Sequence, residues 1–95
     1  MTIAPWRASC IQTASKLAVK ASDHCGAWAI INENIAHASA LIDAATQDAE
    51  PPQLVVLPEF ALQGPPHGLR AADWIEKACC PIPGAITAPF QELAR

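Results

Sequence analysis

Residues 54–57 read Leu-Val-Val-Leu, and Pro58 and Glu59 follow at once. Four large apolar residues in a row, with Val55 and Val56 β-branched, predict a strand buried on both faces, the kind that runs inside parallel sheets. Pro58 has no N–H to give to a ladder, so the run ends there. In open α/β sheets, binding and chemistry gather just beyond the carboxyl ends of strands, which is where Glu59 falls. A carboxylate in that place is expected to stand half out of water, a setting that disfavours its charged form and suits general-base work. The blander alternative is a polar residue that marks where the strand meets solvent.

The bulk properties narrow the classes. A length of 95 residues allows one small domain. The apolar fraction is 52%, but twenty of the residues are alanine, so a core must rest on the few Ile, Leu, Val, Phe and Trp side chains. A net charge of −3 offers no basic footprint and argues against a nucleic-acid partner. No apolar stretch approaches the ~20 residues that cross a bilayer. Residues 1–7 lack the basic-then-apolar layout of a signal peptide, and a reducing, cytoplasmic setting is expected. Cys10, Cys25, Cys79 and Cys80 fit that setting as small buried hydrophobes. Neither their spacing nor that of His24, His37 and His67 matches a zinc pattern, so no metal and no cofactor is implied.

Residues 7–13 predict a first strand, and 16–26 a connection. Ile31, Ile35, Ala38, Ile42 and Ala45 recur at spacings of four and three, which places them on one face of a helix over residues 27–48. Glu33, Asp43 and Gln47 fall on the opposite face. Glu50-Pro51-Pro52 ends this helix and Gln53 leads into the strand at 54. Strand, helix, strand with apolar strands predicts a parallel βαβ unit. Gly64-Pro65-Pro66-His67-Gly68 is a turn-dense loop placed to wall a pocket. A short helix is expected over 71–78, with Trp74, Ile75 and Ala78 on one side, until Pro81-Ile82-Pro83-Gly84 breaks it. A last helix starts near Thr87 as N-cap, with Pro89 in its first turn.

Gln12 after an apolar strand, Asn34 opening a helix with Ile35 and Leu41-Ile42, Leu-Val-Val-Leu-Pro-Glu-Phe at 54–60, and Ile82-Pro83-Gly84 before another helix come in that order. In this the chain resembles the start of a nitrilase-superfamily carbon–nitrogen hydrolase. The resemblance covers nearly the whole chain, is most specific at 54–60, and departs at 16–26, where the connection is longer. It implies an α/β fold, the opening part of an α-β-β-α sandwich in strand-helix-strand-helix order, with residues 1–95 an N-terminal fragment of the domain. It also implies a homo-oligomer in the full-length form, and a small amide or nitrile as substrate. The implied chemistry uses a glutamate, a lysine and a cysteine. The glutamate takes the thiol proton, the thiolate attacks the substrate carbon, and the lysine stabilises the charge that develops. A thioester forms and water releases the acid.

Only Glu59 carries over from that set. Cys10, Cys25, Cys79 and Cys80 do not follow a strand as the nucleophile must, and Lys16, Lys20 and Lys77 lie outside the lysine's context. The chain alone is therefore expected to be catalytically incomplete. With two parallel strands and open edges, it is also expected to aggregate or stay partly disordered when made alone. His67 reads as a loop histidine with no proton to move, and Trp28 and Trp74 as packing residues. The competing function is a non-catalytic α/β module that binds a partner chain or a small molecule.

Overall fold

The computed structural model describes residues 2–95. Its elements are strand β1 (Ala8–Cys10), a 3-10 turn (Ala18–Lys20), helix α1 (His24–Thr46), strand β2 (Leu54–Val56), helix α2 (Ala71–Ala78) and helix α3 (Ala88–Leu93). β1 and β2 pair in parallel, with Ala8 opposite Leu54, Ser9 opposite Val55 and Cys10 opposite Val56. The chain is thus a small mixed α/β unit: a two-stranded parallel sheet and three α-helices among the described residues.

α1 begins three residues earlier than its apolar periodicity indicates. The Asp23 carboxylate accepts from the Gly26 N–H and caps it, and Gly26 in place of a Glu or Gln leaves no capping box in the sequence. Ala27, Ile31, Ile35 and Ala38 are buried as the spacing requires, while Ile42 and Ala45 are half-buried toward the far end. Ala18, Ala78 and Ile86 complete the buried cluster, with Trp28, Trp74 and Phe90 packed against it. Ile31, 1% exposed, is the one large side chain buried completely among the described residues. Ile31→Ala should therefore cost about 2–5 kcal/mol. In a longer polypeptide containing these residues, urea unfolding would show this as a lower midpoint at unchanged slope; a shift worth less than about 1 kcal/mol would mean that the core lies elsewhere.

Several expectations need correction. β1 is three residues long rather than the seven of 7–13. β2 is not buried on both faces: Leu54 and Val56 are 45% and 46% exposed and only Val55 is half-buried. The side chains of Leu54 and Val56 thus stand at the surface, and only Val55 turns toward the helices that line its groove. α2 has the expected limits, but Ile75 is exposed while Trp74 and Ala78 turn inward. Thr87 does not cap α3 through its side chain; its hydroxyl instead donates to the Gly84 C=O and accepts from the Gly84 N–H, closing the turn before the helix.

The surface is large for the mass. The chain exposes 6616 Å², whereas a compact monomer of 10.0 kDa exposes roughly 5200 Å². Its radius of gyration is 15.5 Å, against about 12 Å for a compact domain of this length. Ile3, Trp6, Leu54, Val56, Ile75 and Ile82 all stand exposed. No helix among the described residues is long and apolar enough to cross a membrane.

Candidate functional site

β2 ends at Val56, and Glu59 opens the turn that follows it, at the carboxyl end of the parallel pair. The turn begins with the Ala61 N–H bonded to the Pro58 C=O and closes with the Gly64 N–H bonded to the Phe60 C=O at 2.9 Å. Phe60, next to the carboxylate, has φ 59°. That left-handed conformation is unfavourable for a bulky side chain and persists only where the surroundings impose it.

The surroundings are a strap formed by residues 15–18 and the middle of α1. Three consecutive carbonyls of the turn are bonded: Ala61 C=O by the Ser15 hydroxyl at 2.5 Å, Leu62 C=O by Asn34 Nδ2 at 2.7 Å, and Gln63 C=O by the Ala18 N–H at 2.9 Å. Asn34 also holds the strap itself. Its Oδ1 accepts from the Lys16 N–H at 2.8 Å and its Nδ2 donates to the Lys16 C=O at 2.9 Å. At 3% exposure it is the buried polar residue of the described chain, and its amide makes three bonds there, all to backbone. Gly64, with φ +72°, closes the arrangement, because a Cβ there would lie 2.7 Å from Leu17 Cδ2.

Glu59 itself is exposed. The expectation of a carboxylate half out of water is not met among the described residues, because the bonds that hold the turn engage its backbone carbonyls and leave the Glu59 side chain free of them. The sequence placed the acid correctly beyond the strand, but its burial depends on what packs over it.

Asn34 was legible only as the opening of a helix, and its role as the hub of the turn was missed. A signal was present. Asn34 falls three residues after Ile31 and beside Ile35, a polar side chain inside an apolar stripe, and such a residue must find backbone partners.

The remaining candidates are not brought to Glu59 by any bond. Lys16 pairs with Glu33 at 2.5 Å on the surface, and Lys77 donates to the Ala21 C=O at 2.7 Å. His67 is exposed, with φ 45°, in its loop. His24 Nδ1 lies 3.1 Å from the carbonyls of Glu76 and Lys77, a contact that ties the start of α1 to the end of α2. Among the described residues, no group of three or more His, Cys, Asp or Glu is arranged to hold a metal ion.

The cysteines are not the buried hydrophobes expected: Cys10, Cys25 and Cys79 are exposed and Cys80 is partly covered. They lie at a short strand, a helix start and a helix end, where little packs over them. Burial, and then the neighbouring Cys79, push the Cys80 thiol above its ordinary range. A raised thiol holds less thiolate at a given pH, so Cys80 should be the slowest of the four to react with iodoacetamide at pH 8. Peptide mass spectrometry over time reads the order directly, and Cys80 labelling first would contradict it.

Comparison of the chain with models of protein families, with curated proteins and with solved structures returned no match.

Proposed function

We propose that this chain is the glutamate-bearing opening of a carbon–nitrogen hydrolase of the nitrilase type, acting on a small amide or nitrile. In that reading its β1-α1-β2 unit is one part of an α-β-β-α sandwich, and a further polypeptide segment supplies the lysine and the nucleophilic cysteine. The observation that carries it is the placement of Glu59. The acid stands directly past the carboxyl end of a parallel strand, on a turn fixed by three consecutive carbonyl bonds and a left-handed Phe60.

Glu59 would act as base toward the thiol, and the pinned turn would fix the distance between them. An exposed carboxylate is a poor base for a thiol, because both its solvation and its freedom work against proton transfer. The segment that brings the cysteine must therefore also cover Glu59. The full-length form would assemble as a homo-oligomer in the cytoplasm, with no nucleic acid, cofactor or metal involved.

The exposure of Glu59 and of the Leu54 and Val56 side chains favours a second reading, a non-catalytic α/β module that binds a partner chain. Glu59→Gln in a longer polypeptide containing these residues separates the two. A hydrolase loses nearly all turnover, whereas a binding module keeps its affinity.

A further inference from the structure

β1 pairs with β2 up to Cys10 opposite Val56, and the next amide, the Ile11 N–H, bonds to the Val56 C=O at 2.8 Å. Past Cys10 the chain keeps the alternation of an extended segment. Ile11, Thr13, Ser15 and Leu17 are partly covered, while Gln12, Ala14 and Lys16 are exposed. The alternation turns the Ser15 hydroxyl inward, where it donates to the Ala61 C=O at 2.5 Å. Ala61 is 7% exposed, so its carbonyl needs a partner from the protein. Ser15 has one hydroxyl proton and uses it there. Thr13 Oγ1 lies 2.8 Å from Ser15 Oγ and must therefore donate to it, which fixes the Ser15 hydroxyl in its orientation.

One segment thus holds both flanks of the span that carries Glu59. Val56 is tied to Ile11 on the strand side and Ala61 to Ser15 on the other, with only residues 57–60 between them. Within that span the ring of Pro58 sets its φ. Phe60 is left-handed at φ 59°, and the Ala61 N–H bonds to the Pro58 C=O across Glu59. The main chain at Glu59 has little freedom left. The other two pins, Asn34 on Leu62 and the Ala18 N–H on Gln63, act further along the turn. Asn34 also holds residues 15–18, so its loss loosens strap and turn together. Ser15 is the side chain that grips the turn nearest to the acid.

We propose that Ser15 is a positioning residue for Glu59: its hydroxyl, oriented by Thr13, holds the Ala61 C=O and through it the backbone from which the base reaches the thiol. The assignment rests on the hydrolase reading of Glu59 and gives a role in the rate to a residue that touches no reacting atom. Its effect is carried by geometry. Proton transfer depends on the distance from base to thiol, and a displacement of ~1 Å can lower a rate about 10²-fold.

The test uses a longer polypeptide that contains these residues, assayed with propionamide and propionitrile by ammonia release. Ser15→Ala should lower kcat by about 10–100-fold and leave KM within about twofold of the parent. The Glu59→Gln background shows whether Ser15 works through the acid. There Ser15→Ala should have no further effect on the residual turnover, since both changes remove one function. A merely structural role predicts an equal fall in both backgrounds. Hydrogen–deuterium exchange reads the turn apart from the chemistry: the Ala61 amide should exchange at least about fivefold faster in Ser15→Ala. Unchanged kcat, an equal fall in both backgrounds, an Ala61 amide as slow as in the parent, or a Ser15→Ala chain that fails to fold would each overturn the assignment. If the parent shows no turnover, or Glu59→Gln keeps it, the hydrolase reading falls and the positioning role with it. If Glu59→Gln is silent and Ser15→Ala turns over as the parent does, the assignment alone fails.

Discussion

Asn34→Leu is expected to remove about 3 kcal/mol or more of folding stability, since leucine fills the space but satisfies none of the three backbone groups that Asn34 bonds. Each buried group left unpaired costs roughly 1–3 kcal/mol, and a whole domain of this size holds only about 5–14 kcal/mol. The partners are main chain, so no compensating apolar replacement is available to them. Asn34→Asp probes the same site differently. Its carboxylate can still accept from the Lys16 N–H but cannot donate to the carbonyls of Lys16 and Leu62, and it brings a buried charge. Both variants should lower the urea midpoint, and the Lys16 amide should lose its exchange protection. A loss below about 1 kcal/mol in both, with Lys16 still protected, would show that the strap and the turn hold themselves together without this side chain.

The second large effect is catalytic. In a longer polypeptide that supplies the lysine and the cysteine, Glu59→Gln should lower kcat by about 10²–10⁴, the usual contribution of a positioned acid or base. The fold should not suffer, because Glu59 is exposed and none of the hydrogen bonds that hold its turn involves its side chain. A chain equal to the parent in urea midpoint and silent in turnover is the pattern of a lost base. Retained turnover would remove Glu59 from the chemistry, and a parallel loss of stability would make it a structural residue. The 95-residue chain on its own should hydrolyse neither simple amides nor simple nitriles.

The elements that the sequence made legible are those with strong local signals. β2 was marked by an unbroken apolar run and a proline, and α2 was found to the residue between Arg70 and Cys79. The buried face of α1 followed from its spacing, although its start did not, because Asp23 caps it without the usual second acid three residues on. Exposure was the quantity that local pattern could not give. Leu54 and Val56 look like interior residues, and Cys10, Cys25 and Cys79 belong to a type usually found inside, yet each is exposed. The position of Glu59 was readable for the same reason that its burial was not. The first is set by the end of a strand, the second by elements that pack from a distance. The carbonyl bonds that fix its turn were not readable at all, since they join residues up to 46 positions apart.

Trapping the acyl-enzyme is the most direct probe of what Glu59 is for. A longer polypeptide containing these residues would be quenched in acid during turnover of a small amide or nitrile and mapped by peptide mass spectrometry. A thioester on a cysteine outside residues 1–95, present in the parent and missing from Glu59→Gln, is the predicted result. An adduct on Cys10, Cys25, Cys79 or Cys80, or one that forms equally well without the Glu59 carboxylate, would contradict the account.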